Sequence, residues 1–114
     1  MERSEAEEYA RWFRCLADAT RLQLLRVLAE GGEPMTVGEL VEAVGVGQSS
    51  VSGHVRRLAA DGFVWVERVG TATYVRINED CLIALPAAAA AIMGGDREND
   101  ARAAVEGAGP EAAS

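Results

Sequence analysis

The sequence predicts a mainly α-helical domain that carries one β-hairpin, and three observations lead to this fold class. Apolar residues recur at helical spacing, first in the stripe that begins at Tyr9 and ends at Leu16. Glycines and capping residues divide the first half of the chain into separate helices. Two runs of β-branched and aromatic residues, 63–69 and 73–77, are joined through residues 70–72. With 114 residues, the chain has room for one hydrophobic core.

Three helices are predicted in the first part of the chain. Asp18 offers an N-cap for the second helix, and Gly31 and Gly32 stop it. Thr36 and Glu39 fit a capping box for the third, because the hydroxyl and the carboxylate can each satisfy an N–H group of the first turn. The expected helices cover about residues 4–16, 19–30 and 36–44.

A fourth helical pattern follows a turn of three residues, Gly45 to Gly47, which is the connection found in a helix-turn-helix unit. Val51, Val55 and Leu58 form its apolar stripe. Small polar residues in its first turn and arginines in its second suit a helix that enters the major groove of DNA. The alternative is a surface helix with a polar N-terminus. The residues off the stripe are Gln48, Ser49, Ser50, Ser52, Arg56 and Arg57.

The hairpin that follows favours the DNA-binding interpretation. A hairpin directly after the second helix of a helix-turn-helix unit makes a winged helix-turn-helix, with the hairpin as the wing. The wing offers Arg68, Thr71, Thr73 and Arg76 to the DNA backbone or minor groove. The fold class is therefore mainly α with a β-hairpin wing.

The charges are unevenly distributed. The chain has 11 basic residues, all arginine, and 18 acidic ones, for a net charge of −7. Residues 48–77 hold four arginines and two acids, so this block carries +2 while the remainder carries −9. Because nonspecific affinity for DNA comes mostly from neutralised phosphates, the acidic chain is not expected to coat DNA. The positive block is where DNA contact is expected.

Several other classes are not expected. No apolar run has the length of a membrane helix and the N-terminus is acidic, which predicts a cytoplasmic protein without a membrane partner. Phosphate-binding glycine loops and nucleophile motifs are missing, so the chain is not predicted to be an enzyme. Structural zinc is not expected, because Cys15 and Cys81 do not form a paired-ligand spacing.

The C-terminal region predicts a dimerisation helix and a tail. Asn78 is expected to cap a turn that holds Cys81, and Pro86 is expected at the first position of a helix from about Leu85 to Gly94. This alanine-rich helix, together with the first helix, is expected to pair with a second copy of the chain. The domain organisation is then 1–94 for DNA binding and dimerisation, and 95–114 for an acidic disordered tail.

Three segments of the chain resemble the ArsR/SmtB family of winged-helix transcriptional repressors. They are Leu16-Ala17-Asp18 with Arg21-Leu22, residues 49–58 and the wing at 70–74. The resemblance covers residues 5–93, and residues 78–86 look most like a branch associated with arsenic resistance. It implies a homodimer on an operator of imperfect twofold symmetry, which is released when an effector binds. It also implies that the helix from Gln48 to Ala60 enters the major groove.

The predicted DNA contacts follow from residue chemistry and from this resemblance. Arginine suits phosphate, whereas the small polar residues of the first turn suit base edges. His54 matches a histidine common in the family's recognition helix, and the alternative is a half-buried packing residue. The base or near-base contacts are Gln48, Ser49, Ser50 and Ser52, and the phosphate partners are Arg56, Arg57 and Arg68.

A sensor site is less complete than the resemblance implies. The family's helix-3 site needs a cysteine pair, but residues 36–38 are Thr-Val-Gly. Glu79 and Cys81 occupy the first half of the C-terminal helix site, whereas Ile92 and Gly95 occupy the second, so a zinc or nickel site is incomplete.

Thiol chemistry remains, with Cys15 and Cys81 as candidates for arsenite or antimonite binding through thiolates, or for oxidation. Arsenic-type members usually offer a third cysteine, which is missing here. The alternative is that Cys15 is a packing residue. Three functions result: a repressor released by a metalloid or oxidant, a regulator of the same fold that is constitutive or controlled by another ligand or partner, and a protein-interaction module that has lost DNA binding.

Overall fold

The computed structural model describes residues 1–94 and confirms a mainly α-helical fold with a β-hairpin wing. The described residues divide into two units, Met1–Glu79 and a second unit that begins at Asp80. Helix α5 lies in the second unit and all other elements lie in the first. The elements are α1 Arg3–Leu16, α2 Ala19–Gly31, β1 Met35–Thr36, α3 Val37–Val44, α4 Gln48–Ala60, β2 Val64–Val69, β3 Ala72–Ile77 and α5 Cys81–Met93.

The predicted caps of α2 and α3 are confirmed. The Asp18 carboxylate accepts a hydrogen bond from the backbone N–H of Arg21 at 3.1 Å. The capping box of α3 is complete, since the Glu39 N–H donates to the Thr36 hydroxyl at 3.1 Å and the Thr36 N–H donates to the Glu39 carboxylate at 2.8 Å. Gly45 ends α3 at a φ of 70°, in the left-handed region that glycine adopts without a steric penalty.

A three-stranded antiparallel sheet in the order β1-β3-β2 extends the predicted hairpin. Strands β2 and β3 pair from Val64↔Ile77 to Val69↔Ala72, so a turn of two residues, Gly70 and Thr71, joins them. Strand β1 was not predicted from the sequence. It has two residues and pairs with β3 at Met35↔Val75, so no local pattern marks it and only the distant strand defines it.

The core of the first unit lies between α2, α3, α4 and the sheet. Leu24 of α2, Leu40 of α3 and Val75 of β3 have no exposed surface. The predicted apolar stripe of α4 is confirmed, since Val51, Val55 and Leu58 are all buried. Burial of each large side chain contributes about 1.5–3 kcal/mol relative to exposure. This stripe fixes which side of α4 faces outward.

Helix α5 corrects the prediction for the C-terminal region. The helix begins at Cys81, not near Leu85, and Pro86 lies inside it. Proline removes one helical hydrogen bond, but the carbonyl of Leu82 that loses its donor belongs to a residue that is 74% exposed, where water can replace the bond. Five alanines follow Pro86, and alanine has the highest helix propensity, which favours continuation of the helix. The side chain of Asn78, predicted to cap a turn, donates instead to the carbonyl of Gly62 at 2.9 Å.

The predicted tail, residues 95–114, lies outside the described residues. Within residues 1–94, no helix has both the length and the apolar character needed to cross a lipid bilayer.

Candidate nucleic-acid interface

A groove of about 1010 Å³ lies between α4 and the wing. Its floor and walls combine apolar surface from both elements with polar side chains, and the N-terminal end of α3 adds residues 36–38. The polar side chains from α4 and the wing were all predicted as DNA contacts. They are Gln48, Ser52 and Arg56 from α4, and Arg68, Thr71 and Thr73 from the wing.

Helix geometry explains why these α4 residues share one side. Gln48, Ser52 and Arg56 are spaced by four residues, and side chains at i and i+4 lie one above the other on a helix face. With the stripe of Val51 and Val55 buried in the core, this second face turns toward the wing. Arg56 is exposed, so its guanidinium can reach a phosphate in solution.

Strand pairing sorts the predicted wing residues onto two faces. Arg68 is paired with Thr73, so both lie on the face that meets α4. Arg76 is paired with Trp65 on the opposite face, with its guanidinium carbon 5.9 Å from the centroid of the Trp65 ring. Arg76 therefore does not join the groove, and its contact with DNA stays a prediction.

Two predicted residues of the first turn of α4, Ser49 and Ser50, are exposed but do not line the groove.

The His54 side chain contacts Arg21 of α2 and does not line the groove. Its Nδ1 lies 3.1 Å from a guanidinium nitrogen of Arg21, and its Nε2 lies 4.0 Å from the carboxylate of Asp18. Because a guanidinium only donates, Nδ1 accepts. With a side chain that is 20% exposed, His54 fits the packing alternative better, and its contact with DNA stays a prediction.

Arg57 belongs to a charged cluster at the C-terminal end of α4. Its Nε lies 2.8 Å from one carboxylate oxygen of Asp61, and the Nε of Arg11 in α1 lies 3.6 Å from the other. Burial acts to raise the pKa of Asp61, but hydrogen bonds from Arg57 and Cys15 and the charges of both arginines outweigh it, so the pKa lies below its ordinary value. Asp61 is therefore an anion at neutral pH.

The two cysteines differ in environment. Cys15 has no exposed surface, and its sulfur lies 3.9 Å from the backbone oxygen of Arg57. Burial, followed by a hydrogen bond to Asp61 and the charge of that carboxylate, raises the pKa of Cys15 from 9.0 to about 11. Burial and the charge of Asp80 also raise the pKa of Cys81, which is half-buried. Neither cysteine forms a disulfide within the described residues.

No group of three or more His, Cys, Asp and Glu side chains within residues 1–94 is arranged to hold a metal ion. Glu79, the third predicted sensor residue, is exposed at the end of the first unit. The donors in the described part of the chain thus do not fit a resident metal site. A sensory role for Cys15, Cys81 and Glu79 stays a prediction.

The sequence does not predict all residues of the groove or of the charged cluster around Asp61. The N-terminal end of α3 lines the groove, and nothing in the sequence marks Thr36 or Val37 as groove residues. The sequence prediction assigns Asp61 only a charge. Its spacing of four residues from Arg57 is the spacing at which helical side chains pair, so this signal was available.

Comparisons with known proteins agree with this geometry. A profile of the family described as "Bacterial regulatory protein, arsR family" matches residues 18–65. The chain is 43% identical over 68 residues to the HTH-type transcriptional regulator KmtR of Mycobacterium tuberculosis, which covers 60% of this chain and 51% of KmtR. It thus spans about half the length of that relative. It is 31% identical over 94 residues to the nodulation protein NolR of Rhizobium meliloti, covering 82% of this chain and 75% of NolR.

Solved structures share the same architecture. The homodimeric winged helix-turn-helix DNA-binding domain of Mb0332 from Mycobacterium bovis superposes with a TM-score of 0.63 at 33% identity, covering 79% of this chain and 86% of that one. The antimony-specific transcriptional repressor AntR superposes with a TM-score of 0.65 at 30% identity, covering 85% and 86%. From the paired groove of α4 and the wing, and from these likenesses over most of its length, the chain belongs to the ArsR family of bacterial regulatory proteins, which are transcriptional regulators and not enzymes.

Proposed function

We propose that this chain is a homodimeric transcriptional repressor that binds an operator of imperfect twofold symmetry. In each protomer, the N-terminal half of α4 contacts base edges in the major groove, and the wing contacts the adjacent backbone. Gln48 and Ser52 provide base contacts, and Arg56 and Arg68 neutralise phosphates. The base contacts carry the sequence preference, whereas the phosphate contacts carry much of the affinity.

One observation carries the DNA-binding part of this proposal. Six polar side chains from two separate elements converge on one groove, and the two cationic ones, Arg56 and Arg68, come from opposite walls of it. Two guanidinium groups facing a common groove suit a sugar-phosphate backbone that passes between helix and wing. The apolar stripe of α4 is buried behind them, so the helix presents its polar side without exposing its core contacts.

Exposed apolar side chains support the homodimer. In α1, Phe13 is 41% exposed, and in α5, Leu82, Ile83 and Met93 are 74%, 76% and 82% exposed. Burying such residues against an identical chain removes apolar surface from water at about 25 cal/mol per Å². The relative Mb0332 is a homodimer with the same winged fold.

A titration by fluorescence anisotropy tests DNA binding. The DNA upstream of the chain's own coding sequence is compared with a scrambled duplex of equal length, at the same salt concentration. The parent protein is expected to prefer the upstream duplex, and Gln48→Ala is expected to lose about 1–3 kcal/mol of that preference. Arg26→Ala, an exposed arginine of α2 paired with Glu30, is the control and should behave as the parent. Equal affinity of the parent for both duplexes would contradict the proposal.

The effector proposed for this repressor is a thiophilic metalloid such as arsenite or antimonite, or a thiol oxidant, acting at Cys81 with Glu79 beside it in sequence. The likeness to AntR, an antimony-specific repressor, supports this chemistry. Cys81 is the better candidate of the two thiols because part of its surface is exposed, whereas Cys15 has none. A coupling of about 1–3 kcal/mol between effector and operator suffices for a 5 to 150-fold loss of affinity.

A regulator without a metalloid site is the second candidate. It is favoured by the absence of a three-donor cluster within residues 1–94 and by the raised pKa of both thiols, since the thiolate is the reactive and ligating form. Adding arsenite, zinc, cadmium or an oxidant to the protein–operator complex separates the two candidates. Arsenite or oxidant is expected to release the parent protein but not Cys81→Ser. Equal release of Cys81→Ser would remove Cys81 as the sensor, and no release by any of them would favour the second candidate.

A further inference from the structure

Two neighbouring arginines of α4 have different surroundings. Arg56 lines the groove between α4 and the wing. Arg57 is rotated by about 100° around the helix axis and lies against Asp61. The charge of α4 therefore does not all face the groove.

Asp61 is built into the fold at the C-terminal end of α4. Its side chain is only 8% exposed, while the guanidinium groups of Arg57 and Arg11 approach its two oxygens at 2.8 Å and 3.6 Å. The thiol of Cys15 lies against the same turn, 3.9 Å from the backbone oxygen of Arg57. Two guanidinium groups, one from α1 and one from α4, thus hold the carboxylate in one place.

Arg57 itself is not buried, since its side chain is 43% exposed. A guanidinium with that exposure, on a helix proposed to enter DNA, is free to turn toward a phosphate once the hydrogen bond to Asp61 is removed. The ion pair therefore competes directly with any phosphate for the Nε donor of Arg57.

We propose that Asp61 is a positioning residue that holds Arg57 against α1 and keeps it out of the protein–DNA interface. This inference rests on the proposed function, since it assigns a role within DNA binding by α4. Asp61 lowers the number of phosphates that each protomer neutralises, and it thereby limits the part of the affinity that does not depend on sequence. Operator binding then depends more on groove residues such as Gln48 and Arg56.

Salt dependence of DNA binding gives the test, because each neutralised phosphate adds about 0.9 to the slope of log K against log salt. Asp61→Asn keeps the size of the side chain and removes its charge. In a homodimer it is expected to free two copies of Arg57, to raise affinity for operator and scrambled duplex alike, and to steepen the slope by about 1.8. An unchanged slope in Asp61→Asn would overturn the inference.

Two further variants distinguish a released Arg57 from a change in net charge. Glu30→Gln removes an exposed negative charge of α2 and should leave the slope as in the parent. The double variant Asp61→Asn with Arg57→Gln removes the charge of Asp61 and the guanidinium of Arg57, and should return the slope to the parent value. A slope that stays steep in the double variant would mean that the lost negative charge or the release of Arg11, and not Arg57, causes the gain.

Arg57→Gln alone completes the set. It is expected to leave the salt slope unchanged, because Arg57 does not contact phosphate in the parent protein. A slope lowered by about 1.8 would contradict the inference and would place Arg57 among the phosphate contacts. If the parent protein binds neither duplex, the proposed function itself fails, which is a different result from a parent that binds and an Asp61→Asn variant that behaves identically.

Discussion

Leu58 is one of three residues through which α4 packs on the core, and Leu58→Ala tests that packing. Its side chain has no exposed surface and lies on the stripe of α4 that faces the core. Each carbon group removed costs about 0.8 kcal/mol in transfer free energy, which gives roughly 2.4 kcal/mol for the leucine-to-alanine change. The cavity left behind raises the expected loss to about 3–4 kcal/mol.

Urea denaturation followed by far-ultraviolet circular dichroism measures this loss. Protein concentration is held equal for parent and variant, because association contributes to the stability of a dimer. Leu22→Ala in α2, whose side chain is 51% exposed, is the control and should cost well under half as much. A Leu58→Ala loss no larger than that of Leu22→Ala, at an unchanged m-value, would refute the packing of α4 described here.

Three smaller predictions concern other contacts. Thr36→Ala breaks the capping box of α3 and should lower the free energy of unfolding by about 1 kcal/mol in the same assay; no loss would mean that the box does not stabilise α3. Because the folded pKa of Cys15 is raised from 9.0 to about 11, its stabilising effect is complete below pH 9 and lost as the pH rises through 11. In Cys15→Ala, the free energy of unfolding should therefore fall less steeply at alkaline pH than in the parent, and native Cys15 should resist alkylation until the chain unfolds. The pKa of Asp61 is lowered from 3.8, so its contribution is present above that value and lost as the pH falls through the lower folded pKa. In Asp61→Asn, the free energy of unfolding should fall less steeply at acid pH than in the parent. An identical dependence on pH in both proteins would contradict the ion pair.

Local chemistry made much of the fold predictable. Helices begin and end through contacts within a few residues. Asp18 caps α2, Thr36 and Glu39 cap α3, and Gly45 ends α3. The apolar stripe of α4 is likewise visible from spacing alone. These features required no knowledge of distant contacts.

The errors arose where a distant or competing effect decides the structure. Strand β1 forms only because β3, about forty residues later, provides its partner. The preference of proline for the first helical position predicts a helix start at Pro86, but the alanine run after it and solvent access at Leu82 allow the helix to continue through it. The intrinsic preference of a residue for a helix position is a weaker effect than such surroundings.

The groove was predictable in composition but not in which residues share it. Thr73 and Arg76 differ by three positions in one strand, so alternation alone places them on opposite faces, although the sequence prediction offers both to DNA. The contact between His54 and Arg21 joins residues 33 positions apart and depends on how α2 packs against α4. No local pattern contains that information.

The most direct test of the central claim is the salt dependence of operator binding by the double variant Arg56→Ala with Arg68→Ala. These are the two arginines that line the groove between α4 and the wing. A homodimer that loses four phosphate contacts should show a slope of log K against log salt that is shallower by about 3.6, with weaker binding to operator and scrambled duplex alike. A slope equal to that of the Arg26→Ala control, in a variant that folds as the parent does, would contradict DNA binding through this groove.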